Sequence, residues 1–201
     1  MADLEFDTEN TTQAPPTDAD LKKGFVLKAP PCTDLWAKPP ATVRSNAPTV
    51  YKALPLSRFQ RARVRVSAQW STLYDQGGLV MILHRDDARK WIKTGIEFVN
   101  GKPYLSTVGK DNWADWSLAP VPGDGREAIL EMVKDKGVLW VYSIEQCEDG
   151  EARIPMRELT WAFAEEQGVE CWVGMYACRP GKEGGELEVT FRDFELEVTA
   201  A

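Results

Sequence analysis

Residues 73–99 read LYDQGGLVMIL, then HRDDARK, then WIKTGIEFV, and they decide the fold. In the last segment Ile92, Thr94, Ile96 and Phe98 fall on one side, and Trp91, Lys93, Gly95, Glu97 and Val99 on the other. This is a period of two. Successive side chains of a strand point to opposite faces, whereas a helix repeats every 3.6 residues. LYDQGGLVMIL reads as a second, more apolar strand, and the polar HRDDARK reads as the turn between them. The Ile/Phe side suits a core. The opposite side carries an aromatic, a cation and an anion in one row, residue types that sit mid-strand when solvated or gathered in a site.

Working outward, 56–70 alternates in the same way. Ala62, Val64, Val66, Ala68 and Trp70 form one face; Arg61, Arg63, Arg65, Ser67 and Gln69 form the other. The arginine row reads as a solvated outer face in preference to an anion site. Asn100-Gly101 is a hairpin signal, leading into a strand from Lys102 to Val108. Residues 109–117, GKDNWADWS, read as a polar, aromatic loop. Asp135-Lys136-Gly137 turns a further hairpin between 126–134 and 138–144. Residues 155–167 have helix punctuation, Pro155 at the start and Gly168 after the end, but poor apolar spacing, so a strand followed by a turn stays open. The final strand, 187–198, changes apolar phase at Asp193, the mark of a β-bulge. Strands at short spacing with Gly/Pro turns predict an all-β fold, an antiparallel sandwich or barrel.

Residues 1–20 are acidic and Thr/Pro-rich without periodicity and read as a disordered tail; 21–201 then form one domain. Residues 21–27 are a candidate first strand. The segment 29–48 holds five prolines and predicts an extended surface path, anchored by Trp36. With 201 residues, 43% hydrophobic and eight Trp, the chain can build a core unaided. Thirty-one acidic against 24 basic residues give a net charge of −7, which argues against nucleic acid and against an anionic membrane surface. The N-terminus lacks the apolar run of a secretory signal, and no stretch approaches a membrane span. Cys32, Cys147, Cys171 and Cys178 match no metal spacing and read as reduced thiols. A cytoplasmic location is expected.

YDQGGL, WIKTGIEFVNGKPYLS, DWS, VGMYACRP and LEVTFRDFEL, in that order, resemble the DUF1349 family from about Asp34 to Val198. The resemblance implies a concanavalin A-like jelly roll, whose ligands lie across a concave face. Within the family the chain is most similar to short fungal regulation-of-enolase proteins, which implies a role in carbohydrate metabolism. Glucanases of this fold carry an E-x-D-x-x-E row on one strand; here that strand offers only Glu97, with Lys93 in place of a second acid.

Lys93 and Glu97 are the candidate catalytic pair. An opposite charge favours the ionised carboxylate, so Glu97 suits a base or an orienting acceptor; the alternative is an ion pair on a solvated strand. Tyr74 and Gln76 share a face and can stack on a sugar and bond its hydroxyls; the alternative is a capped, Gly-flanked edge. Trp91 joins this row, with Trp116 at its rim and Tyr142 contributed by a neighbouring strand. His84, the only histidine, reads as a solvated turn residue, too isolated for zinc or a Ser-His-Asp triad. No phosphate loop or dinucleotide motif occurs, so no metal and no cofactor are expected. Three readings follow: a lectin-like binder of a small carbohydrate-like ligand; a cofactor-free enzyme, hydrolase-like or an isomerase or cyclase, using the same patch; or a homodimer whose Arg61/Arg63/Arg65 face meets the acidic tail.

Overall fold

The computed structural model describes residues 4–85, 88–148 and 150–200. Its elements are β1 (Asp7–Glu9), α1 (Asp18–Lys23), β2 (Phe25–Ala29), β3 (Leu35–Lys38), β4 (Thr42–Ser45), β5 (Thr49–Pro55), β6 (Phe59–Ala68), β7 (Gln76–Arg85), β8 (Ala88–Val99), β9 (Lys102–Lys110), β10 (Ala114–Pro120), β11 (Glu127–Asp135), β12 (Val138–Cys147), β13 (Gly150–Leu159), β14 (Glu170–Cys178) and β15 (Leu187–Val198). Seven strands form one sheet in the order β1-β5-β14-β7-β8-β9-β10, and six form a second, β13-β12-β11-β6-β15-β2. The two sheets sandwich one core: Leu79, Met81, Leu83, Ile92 and Ile96 of the first meet Ala62, Val64, Val66, Leu130 and Met132 of the second. The fold is an all-β antiparallel sandwich of the jelly-roll kind. Among the described residues no helix is long and apolar enough to cross a membrane.

The organising hairpin is β7–β8, paired from Gln76↔Glu97 to Arg85↔Ala88; residues 86 and 87 of its turn lie outside the described residues. Asn100 and Gly101 both take positive φ, as a tight hairpin turn requires. Gly78 and Gly95 face each other across β7–β8. A Cβ on Gly95 would stand 2.0 Å from the Gly77 carbonyl oxygen, and one on Gly78 2.0 Å from that of Thr94. The backbones approach this closely only because neither residue has a side chain. The bulge in β15 falls where the apolar phase shifts: the register jumps between Arg192 and Glu195, and Asp193 has φ 53°.

Three stretches and one residue, His84, depart from the sequence expectation. Residues 4–20 carry structure: β1 pairs with β5, and Gln13 bonds Val26 O and Lys28 N along the β2 edge. Residues 18–23 are helical, taking the end of the expected tail and the start of the strand expected at 21–27, which begins only at Phe25, because Thr17 and Asp20 form a reciprocal capping box and Leu21 is buried. The tail's polar composition masks these local signals. Residues 114–120 form an edge strand instead of a loop, paired with β9, and 150–159, paired with β12, form a strand followed by turns, the alternative left open for 155–167 rather than a helix. His84 lies on β7, its ring 4.3 Å from that of Trp172, and not in a turn.

The arginine row occupies the outer face of the six-stranded sheet, paired within the chain. Arg61 meets Glu131, Glu195 and Glu197; Arg63 meets Glu151; Arg65 meets Glu127 and Asp193. A different ion pair is fully inside. Arg179 Nε and Nη2 donate to the two oxygens of Asp75 at 2.8 and 2.7 Å, with Asp75 at 0% exposure. Asp75 also accepts the backbone N–H groups of Ser71 and Thr72.

Two stability outcomes follow. Gly95→Ala forces a methyl into a carbonyl oxygen, and urea unfolding of the variant should show a loss of at least ~3 kcal/mol or no folded protein at all. Asp75→Ala strands a buried guanidinium, and the same measurement should show a loss of about 3–5 kcal/mol. A change below 1 kcal/mol, within the range of exposed ion pairs at about 0–1 kcal/mol, would contradict this account of the Asp75–Arg179 pair.

Candidate functional site

The side of β8 turned away from the sandwich core carries Trp91, Lys93 and Glu97. Lys93 sits opposite Val80 and Val108, and Glu97 opposite Gln76 and Tyr104. The Pro-rich segment covers this face. It folds as the β3–β4 hairpin, and Leu35 and Ala47 pack there with Val80, Ile82, Trp91, Val108, Tyr176 and Cys178 in a second apolar cluster. Burying that outer face is what draws the hairpin down.

Beside the cluster lies a cavity of ≈ 510 Å³. Its first wall is one face of the hairpin: Trp36 pairs with Arg44 and Lys38 with Thr42, and all four line the space. Thr72, Leu73, Tyr74, Trp116, Pro180 and Gly181 complete the lining, and the buried Asp34, Gln76 and Glu97 form its base. The Trp116 ring meets Trp36 at 6.1 Å and 83°, and Tyr74 at 6.3 Å and 71°. Edge-to-face pairs of this kind hold aromatic rings in place. Tyr74 takes φ 67°, strained for a bulky side chain, and its N–H is tied to Phe98 O at 2.7 Å.

A polar chain underlies the base. Lys93, 2% exposed, donates to Gln76 Oε1 at 2.5 Å, and Gln76 Nε2 donates to Tyr74 O. Its ammonium lies 4.0 Å from Asp34 Oδ1 and 5.6 Å from the rings of Trp91 and of Tyr176. Ser106 Oγ donates to Glu97 Oε2 at 2.7 Å and accepts from Trp116 Nε1 at 3.0 Å. Asp34 Oδ2 lies 3.9 Å from Arg44. Burial raises the pKa of Glu97, outweighing the pull of Lys93 and the Ser106 hydrogen bond. Burial likewise raises Asp34 against Lys93 and Arg44. The expectation that Lys93 keeps Glu97 ionised is therefore reversed, because the ammonium is directed at Gln76 and desolvation prevails.

The structure brings Tyr74, Gln76, Glu97 and Trp116 together around the cavity. Lys93 lies one step beneath them, holding Gln76. Trp91 belongs to the apolar cluster under the hairpin, away from the lining. Tyr142 is elsewhere: it is on β12 of the other sheet, beside Trp140 and Arg153. Strand alternation fixes which face a residue takes, but not which sheet its strand joins. Asp34, Lys38, Thr42, Arg44 and Ser106 escape the sequence reading. The available signal was the alternation of Trp36, Lys38, Thr42 and Arg44 across a Pro-Pro turn.

The family model described as a protein of unknown function, DUF1349, matches residues 12–199. An uncharacterized protein of Emericella nidulans is 52% identical over 196 residues, 96% of each chain. Regulation of enolase protein 1 of Saccharomyces cerevisiae is 34% identical over 135 residues, 67% of this chain and 62% of the yeast protein. Among solved structures, a functionally unknown protein from Saccharomyces cerevisiae superposes with TM-score 0.77 at 26% identity, covering 98% of this chain and 97% of that one. A GH43 protein of Bacillus licheniformis shares the fold, with TM-score 0.63 at 14% identity over 88% of this chain and 33% of its own. A family match over nearly the whole length, joined to that identity with the Emericella protein, places this chain in the DUF1349 family.

Proposed function

We propose that this is a lectin-like cytoplasmic protein that holds a small carbohydrate-like ligand in the cavity between the β3–β4 hairpin and the seven-stranded sheet, in a regulatory role in carbohydrate metabolism. One observation carries the reading: Trp36, Tyr74 and Trp116 wall a cavity of ligand size whose base gathers Asp34, Gln76 and Glu97. Aromatic faces stack on the apolar face of a sugar ring, and carboxyl and amide groups bond its hydroxyls. The yeast relative's name, Regulation of enolase protein 1, supports the metabolic part. Monosaccharides and their phosphates screened by thermal shift should raise the melting temperature. Trp116→Ala should weaken the best of them at least tenfold, about 1.4 kcal/mol. Equal affinity of the variant, or no stabilising sugar, refutes the proposal.

A second reading, a cofactor-free enzyme, is favoured by the raised pKa of Glu97. A carboxyl whose pKa burial pushes upward at the base of a cavity is shifted in the direction a general acid needs. The sign of its linkage is definite. Because burial raises the folded-state pKa, the stability tied to neutral Glu97 is full below its ordinary value of 4.5 and is lost as pH rises through the folded value. Glu97→Gln stays neutral at every pH. Urea unfolding from pH 4 to pH 7 should thus show the variant gaining stability relative to wild type as pH rises. A difference independent of pH would contradict the raised value. Identical turnover of a metabolite mixture by wild type and Glu97→Gln would remove Glu97 from any catalysis.

A further inference from the structure

The hairpin wall says more about the ligand than the base does. Alternation on β3 and β4 directs four residues at the cavity, Trp36, Lys38, Thr42 and Arg44, while Leu35 and Ala37 are buried. Two of the four are cations. Lys38 is exposed and has no carboxylate within 4.0 Å among the described residues. Arg44 is 53% exposed at its side chain and reaches only one oxygen of Asp34, at 3.9 Å, leaving most of its five donors free. The carboxyl groups of the cavity lie at the base, where Lys93 also sits within 4.0 Å of Asp34. The mouth is thus cationic and the base mixed, with Trp36 and Trp116 between them. A neutral sugar uses the aromatic walls and the base, and leaves Lys38 without a partner.

We propose that the ligand is an acidic sugar, its ring lying against the Trp36–Trp116–Tyr74 aromatic cluster over Gln76 and Glu97 and its anionic group, carboxylate or phosphate, held by Lys38 and Arg44. This rests on the carbohydrate reading above. Arginine and lysine differ in the anion geometry they prefer, the guanidinium binding planar or phosphate oxygens in pairs and the ammonium acting as a point charge. Both stand at the mouth, where a charged substituent on the ring would project.

Titration calorimetry on the full chain at low ionic strength tests it, using glucose, galactose and mannose, each beside its uronate and its 6-phosphate. At least one acidic form should bind tenfold or more tighter than its neutral parent, and raised salt should erode that advantage. The uronate and phosphate arms identify the anion. The double variant Lys38→Ala/Arg44→Ala alters exposed side chains; its melting temperature should be unchanged and its advantage lost, with neutral-sugar affinity within twofold of wild type. Neutral sugars binding as tightly as acidic ones, or an advantage surviving in the double variant, overturns the acidic-sugar assignment and leaves the carbohydrate reading standing. No binding by any of the nine compounds overturns both.

Discussion

The cavity depends on one buried ion pair. Asp75, just before β7, and Arg179, just after β14, bind side-on, and each then ties down a different part of the cavity lining. Asp75 draws in the N–H groups of Ser71 and Thr72, which fixes the loop that presents Leu73 and Tyr74. The Arg179 backbone N–H donates to Thr33 Oγ1 and its carbonyl accepts from Thr33 N, directly before Asp34, while Arg179 Nη1 donates to Gly185 O. Cys32 N bonds Gly181 O in the same region. One charge pair therefore sets the spacing of the Tyr74 loop, the Pro180–Gly181 segment and the strand leading to Trp36. A buried pair adds little net stability over an apolar replacement, but losing one partner is costly. Its value here is positional.

The second constraint is the outer face of the seven-stranded sheet. Val80, Ile82, Trp91, Val108, Tyr176 and Cys178 would leave an exposed apolar patch if uncovered, and the β3–β4 hairpin buries it. The hairpin covers only part of that face. Where coverage stops, the polar residues of the same row, Gln76 and Glu97, meet open space, and Lys93 is trapped just beneath. The site is thus a boundary between an apolar seal and an open sheet. That boundary accounts for the upward shift of both carboxyls: Glu97 and Asp34 are largely desolvated, yet neither has a full ionic partner in contact.

The sandwich itself asks less of individual residues. Alternation on β6, β7, β8 and β11 supplies two apolar faces, and the glycine pair Gly78/Gly95 allows the central strands to close. The outer face of the six-stranded sheet is filled by arginines and carboxylates from neighbouring strands, so the row Arg61, Arg63 and Arg65 is paired rather than free. Its partners come from three other strands, β11, β13 and β15, none adjacent in sequence to the arginines.

By itself the sequence determined which residues could face together within one strand, because the period of two is a local property of the backbone. It supplied the all-β fold, the β7–β8 hairpin, the bulge at Asp193, and the neighbourhood of Tyr74, Gln76, Glu97 and Trp116, which line one cavity. Only the tertiary structure decided what lies above and beside those residues. It placed Tyr142 on the other sheet, took Trp91 under the hairpin, and brought Asp34, Lys38 and Arg44 to the cavity from the Pro-rich segment. It also let burial outweigh the pull of Lys93 on Glu97, since a pKa depends on desolvation as well as on a neighbouring ammonium, and desolvation is set by how the rest of the chain covers the strand.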